Sequence, residues 1–103
     1  MKNKIKISII TVTKNSEKFL QETIDSLSKQ TYQNFEHIVV DGASTDHTLD
    51  IIKKNSYQIK KWVSEPDDGL YYAINKGIKF CSGDVIGILN SDDVYFPDAL
   101  KIV

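Results

Sequence analysis

The chain has 103 residues, enough for one small core and too few for two domains. Hydrophobic residues make up 41% and charged residues 26%, with a formal net charge of -1, so no global field draws the chain to nucleic acid or an anionic membrane. All 13 basic residues are Lys. The absence of Arg removes the usual fork for phosphates and base edges and argues further against a nucleic-acid partner.

Ile5 to Thr13 (IKISIITVT) is rich in β-branched residues and predicts a buried strand. The N-terminal apolar run, about five residues, is too short for a signal peptide or a membrane span. Asn15-Ser16 offers a helix cap, followed by Phe19, Leu20, Ile24 and Leu27 at helical spacing up to Gln30. Phe35 to Val40 predicts a second strand ending at Asp41-Gly42. Ser44 or Thr45 can cap a second helix carrying Leu49 and Ile52. Ile59 to Ser64 predicts a third, shorter strand. Leu70, Ala73, Ile74, Ile78 and Cys81 form one helical stripe, with Gly83 in a C-cap position. Val85 to Leu89 predicts the fourth strand, and Pro97-Asp98 starts another helix. The chain ends at Val103 inside that helix, so the reading expects a fragment cut after the fourth strand. The alternation β-α-β-α-β-α-β-α implies one α/β domain over residues 1–103: a mostly parallel sheet with helices on both faces.

Each predicted strand ends in a polar cluster: Thr11 to Asn15, Asp41 to Asp46, Ser64 to Gly69, and Asn90 to Asp93. In an open parallel sheet these ends share one edge, where ligands bind. Turn and cap chemistry accounts for any one cluster, but poorly for all four. The adjacent carboxylates Asp92 and Asp93 repel unless a positive charge is shared. A hard divalent cation, Mg²⁺ or Mn²⁺, is the natural partner and typically arrives with phosphates. The bland reading of that pair is a solvated turn before Pro97.

The stretches SIITVTKN, LSKQTYQNFEHIVVDGASTDHT, SEPDDGLYYAINKGIKFCSGDVIGILNSDD and FPDAL cover nearly all of residues 7 to 100. In this order and spacing the chain resembles the N-terminal half of glycosyltransferase family 2, enzymes of the Rossmann-like GT-A fold. The stretch from Ser64 to Asp93 is most similar to enzymes of bacterial surface and capsular polysaccharides. The resemblance implies inverting transfer from a nucleotide-diphosphate sugar, UDP-linked by preference, to a hydroxyl of a saccharide or lipid-linked acceptor. It implies Mg²⁺ or Mn²⁺ on the pyrophosphate, with Asp93 as metal ligand and Asp92 as partner of the donor ribose. It lays Thr11, Val12, Thr13, Lys14 and Asn15 against the nucleoside and makes Asp41 a contact to base or ribose. Asp68, Asn75 and Lys76 fall near the sugar donor. Four positions depart from the pattern: Lys14 for an aromatic, Gly42 for a second Asp, His47 for Gly, and Tyr72 for Asp. The resemblance assigns the general base, and most of the acceptor site, to the second half of the domain. The 103 residues are therefore expected to bind the sugar donor and to catalyse poorly or not at all. The expected location is cytoplasmic, with peripheral contact at the inner membrane face left open. Uncovered sheet edges and helix faces make a homo-oligomer an expectation.

Other residues have plainer readings. His37 inside strand two reads as a neutral, hydrogen-bonded structural histidine. Cys81 reads as a small core residue, and a single cysteine excludes a disulfide framework. Tyr71 and Tyr72 are adjacent and cannot both face the core. Trp62 belongs beside the sheet. Lys53, Lys54, Lys60 and Lys61 form a solvated face, and Glu65 and Asp67 can cap the next helix. Three rival functions fit these residues less well. A phosphoacceptor signalling domain wants acidic residues after strand one, where this chain has Thr-Val-Thr-Lys-Asn. A sugar-nucleotide-forming nucleotidyltransferase wants a Gly-rich basic loop there. The third is a non-catalytic nucleotide-binding or oligomerisation module; one kept for oligomerisation predicts no metal-dependent nucleotide binding.

Overall fold

The computed structural model describes residues 5–66 and 69–91. Their order is β1 (Ile7–Thr13), α1 (Leu20–Ser28), β2 (Phe35–Asp41), α2 (Thr48–Lys54), a 3-10 turn (Ser56–Gln58), β3 (Lys61–Ser64), α3 (Leu70–Ile78) and β4 (Val85–Ile88). The strands form one parallel sheet in the order β3-β2-β1-β4. The α/β reading with a parallel sheet and helices on both faces is thus what the chain adopts.

The two central strands are apolar on both faces, as a sheet covered on both sides requires. Ile7 and Ile9 of β1 pack with Leu27 of α1 and with Leu89. Val39 of β2 packs with Leu20, Ile24 and Ile52 from α1 and α2, with Trp62 beside them. On the other face Ile10, Ile38 and Val40 meet Ala73 of α3, and Cys81 packs against that cluster. Each fully buried Ile or Leu contributes about 1.5–3 kcal/mol. The approach of α3 to β1 is very close. A methyl group on Gly77 would lie 2.7 Å from Ile10 Cγ2.

Several local expectations are corrected. Helix α1 begins at Leu20, because the amides of Phe19 and Leu20 both donate to Ser16 O and wind a separate turn first. Phe19 is consequently 51% exposed. Thr45 and Ser44 do not cap α2; the Asp46 carboxylate accepts the Thr48 amide instead, at 2.9 Å. Strand β3 starts at Lys61, since the 3-10 turn takes up the residues before Ile59. On α3 only Ala73 and Gly77 are buried, while Leu70 and Ile78 are 50% and 43% exposed. Cys81 lies beyond the helix, and Lys79 rather than Gly83 is the C-cap. Gly83 is required by a close backbone approach: a Cβ there would lie 2.7 Å from Lys6 O and 2.8 Å from Ser8 N. Tyr71 is 82% exposed and Tyr72 51% exposed, so neither is in the core.

The N-terminal edge of the sheet is closed by a buried carboxylate. Glu36, 6% exposed, accepts from Ser8 Oγ at 2.7 Å, Ser82 N at 2.7 Å and Ser82 Oγ at 2.9 Å, and pairs with Lys6 Nζ at 3.2 Å. Burial works to raise its pKa. The bonds from Ser8, Ser82 and Lys6 outweigh burial and lower it to about 2. This cluster ties the α3–β4 connection to β1 and β2. It lies at the edge away from the strand C-termini.

Candidate functional site

The opposite edge gathers the polar strand ends. Register places Thr13 beside Asp41 and Asp41 beside Ser64, one row across β1, β2 and β3. Paired residues of parallel strands point to the same face. Asp41 is fully buried at the centre of the row. Its Oδ1 accepts from Ser44 Oγ at 2.5 Å, and its Oδ2 from Ser44 N at 2.9 Å and Ser64 Oγ at 2.7 Å. The main chain repeats the linkage: Gly42 N donates to Thr13 O, and Glu65 N to Asp41 O.

The β1–α1 and β2–α2 loops are joined by Asn15. Its φ of 49° lies in the left-handed region, which Asn tolerates better than most residues. That conformation lets Asn15 N donate to Ser44 Oγ at 2.8 Å, while Asn15 Oδ1 accepts from Thr45 N at 2.8 Å. Next in the chain, Ser16 N donates to Thr48 Oγ1 at 2.8 Å and Glu17 N to Asp46 Oδ2 at 3.3 Å. Desolvation works to raise the pKa of Asp46. The Thr48 hydroxyl and the Thr48 and Glu17 amides prevail and hold it below the usual carboxylate range. His47 is exposed, and its hydrogen bond to Asp50 raises its pKa.

The end of β4 is fixed to the same loops. Ser16 Oγ and Ser91 Oγ are 2.7 Å apart, and Thr23 Oγ1 of α1 donates to Ser91 O at 2.7 Å. Asp92 and Asp93 follow in sequence and lie outside the described residues, as does Asp68. Among the described residues no group of three His, Cys, Asp or Glu side chains could hold a metal.

The predicted site residues fall into three groups. Thr13, Asn15 and Asp41 are drawn together with Ser44 and Ser64, and Lys14 is exposed beside Asn15. Thr13 Oγ1 is a buried hydroxyl without a partner among the described residues. Thr11 points inward, its Oγ1 2.7 Å from His37 Nε2, and Val12 packs against the cluster under α3. Lys76 Nζ is engaged at the end of β3 by Glu65 at 3.0 Å and Pro66 O at 3.1 Å, and lies 5.1 Å from the Tyr72 ring. Asn75 is exposed on α3, outside the row formed by Thr13, Asp41 and Ser64. Sequence reasoning passed over Ser16, Ser44, Ser64 and Ser91. Their only signal was a short hydroxyl residue just after or at each strand end.

His37 is the structural histidine expected, 2% exposed and bonded to Thr11, with burial lowering its pKa to about 4. It lines a cavity of about 250 Å³ with Leu27, Phe35 and Gln58, toward the N-terminal edge and away from the polar row. Among the described residues no helix is long and apolar enough to cross a membrane.

Known proteins resemble this chain throughout. It is 40% identical over 96 residues to an uncharacterised glycosyltransferase of Mycobacterium tuberculosis, covering 91% of this chain and 37% of that protein. The S. aureus TarS 1-349 structure in complex with UDP-GlcNAc superposes with a TM-score of 0.87 at 33% identity, covering 95% of this chain and 30% of that one. A mannosyltransferase from Pyrobaculum calidifontis in complex with GDP-Man and Mn²⁺ gives 0.80 at 25% identity, covering 86% and 28%. These neighbours carry the GT-A, Rossmann-like fold, and the chain spans well under half the length of each. Residues 8–103 match the family model described as glycosyl transferase family 2. The four-stranded sheet, with its polar row at the strand C-termini, is that of a chain belonging to glycosyltransferase family 2.

Proposed function

We propose that the chain is the sugar-donor-binding part of an inverting glycosyltransferase. It would take a nucleotide-diphosphate sugar, UDP-linked, and serve transfer to a saccharide or lipid-linked hydroxyl in bacterial surface polysaccharide synthesis. The observation that carries this reading is the convergence of three strand ends and Ser91 on one hydrogen-bonded edge, in a family 2 chain. That edge is where open parallel sheets bind ligands. Neighbours of the same fold hold UDP-GlcNAc, or GDP-Man with Mn²⁺.

In this reading Lys14 and Asn15 meet the nucleoside, with Thr11, Val12 and Thr13 beneath them. Asp41 supports the base and ribose region from below. Asp68, Asn75 and Lys76 flank the sugar donor, Lys76 becoming available to phosphate if its contact with Glu65 opens. Asp92 accepts from the ribose. Asp93 holds Mg²⁺ or Mn²⁺, whose chemistry is to neutralise pyrophosphate charge as the leaving group departs. The protein's place would be the cytoplasm, where such nucleotides are made.

Calorimetric titration with UDP, in Mn²⁺ and in EDTA, tests the reading. Binding that needs the metal and is lost in Asp93→Ala is the expected result. Absence of binding in Mn²⁺ would overturn it and favour a non-catalytic module.

A further inference from the structure

The net charge of -1 conceals a separation of charge along the strand axis. Each helix runs back against the parallel strands, so helix C-termini and strand N-termini share one edge. Lysines gather there. Lys29 follows α1, Lys53 and Lys54 stand in the last turn of α2, and Lys79 is the C-cap of α3. Lys60 and Lys61 stand at the start of β3, with Lys60 N donating to His37 O on β2. All of these lysines are exposed. Among the described residues, the carboxylates at this edge are Glu36, buried and paired with Lys6, and Asp84, with Asp25 one turn up α1. The opposite edge carries Glu17, Glu22, Asp41, Asp46, Asp50 and Glu65 against Lys14, Lys18 and Lys76.

Two ordinary causes explain the lysines taken alone. Cations at helix C-termini offset the macrodipole, and Lys on an edge strand blocks pairing with another sheet. Neither calls for the bare apolar groups set among them. Tyr57 is 83% exposed and lines one recess with Lys6 and Lys60. Phe80, 37% exposed, lies 5.1 Å under Lys61 Nζ. Ile5, 49% exposed, precedes β1 at the same edge. Long cationic side chains around exposed rings fit the boundary of a bilayer, with ammonium groups among phosphates and rings at headgroup level. We propose that this N-terminal edge docks on an anionic phospholipid surface. Seven-residue β1 then holds the polar row about 20 Å from the headgroups, facing away from them. The docking is independent of what the polar row binds.

Sedimentation of the chain with vesicles tests the proposal. It should partition at low salt onto vesicles of equal parts phosphatidylglycerol and phosphatidylcholine, and lose most of that binding at about 0.5 M salt. Vesicles of phosphatidylcholine alone should not retain it. A lysine at the surface is worth about fivefold in partition. Lys60→Gln and Lys79→Gln, both exposed and on different elements, should each weaken binding by that factor, and together by about 25-fold. Lys18→Gln removes the same charge at the opposite edge and should change binding by less than about twofold. Equal weakening by Lys18→Gln would reveal a net-charge effect and overturn the assignment. So would no partition onto the anionic vesicles, or equal partition onto the neutral ones. Tighter binding to duplex DNA than to anionic vesicles at matched phosphate would overturn it in favour of a nucleic-acid partner.

Discussion

Replacing Glu36 by Ala removes the acceptor of three short hydrogen bonds and one ion pair. Lys6 is 38% exposed, so the ion pair contributes at most about 1 kcal/mol. The bonds from Ser8 Oγ, Ser82 N and Ser82 Oγ go to a buried charged acceptor, the class worth about 1.5–3 kcal/mol each. The cost of burying the carboxylate offsets part of that sum. Removing the side chain should therefore destabilise the fold by about 3 kcal/mol. Glu36→Gln keeps one oxygen for Ser8 and Ser82 N, lets the Ser82 hydroxyl turn and accept from the amide, and loses only Lys6. Its cost should be about 1 kcal/mol. Urea unfolding at pH 7 reads both: with a slope of about 1.5 kcal/mol/M, the midpoint falls by roughly 2 M for Ala and well under 1 M for Gln. The pH dependence adds a signature. Glu36 has a folded pKa of about 2 against an ordinary 4.5, so its stabilisation is complete above the unfolded value and is lost as pH falls through the folded one. The parent chain should lose stability between pH 5 and 2 more steeply than Glu36→Gln. An Ala variant within about 0.5 kcal/mol of the parent would refute the reasoning, as would an unchanged acid slope in Gln. Glu36 lies five residues before Asp41 on β2, roughly 16 Å away along the strand. Variants that remain folded should bind nucleotide as the parent does.

Gly83→Ala pushes a methyl group into backbone atoms of Lys6 and Ser8 that cannot rotate away, and should cost about 2–3 kcal/mol in the same unfolding experiment. His37 has a folded pKa of about 4 against 6.5 unfolded, so the unfolded chain takes up the proton first and stability should fall by up to about 3 kcal/mol as pH drops from 6.5 to 4. His37→Gln should flatten that interval, and a His37 imidazole titrating near 6.5 in the folded chain would contradict the burial argument. Asn15→Ala loses the bonds to Thr45 N and Asp46 N and strains a φ of 49°, at about 2 kcal/mol together. It should weaken UDP binding, measured calorimetrically at a temperature where the variant is folded.

The sheet was legible because its signals are local. Ile5 to Thr13 and Phe35 to Val40 are β-branched runs, and the strands they predict are the two central ones, buried on both faces. The convergence of the strand ends followed from parallel topology alone. What the sequence hid depends on partners far along the chain. Glu36 reads as the polar residue of a half-exposed strand, yet Ser8 and Ser82, 28 and 46 residues away, enclose it. Gly83 follows an apolar stripe as a C-cap glycine would, and only its approach to Lys6 and Ser8 reveals its purpose. Phe19 fits the helical stripe by spacing, but the turn closed by Ser16 O places it before the helix. Asp41 was legible as the polar end of the second strand, whereas its burial beneath Ser44 and Ser64 was not, since Ser64 joins it only through strand pairing.

The central claim is that nucleotide binds at the C-terminal edge of the sheet. Amide shift mapping of the ¹⁵N-labelled chain during titration with UDP and Mg²⁺ tests it most directly. The largest changes are expected at Lys14, Asn15, Ser44 and Ser64, with Glu36 and Ser82 unmoved. Changes confined to the cavity lined by Leu27, Phe35, His37 and Gln58 would contradict it.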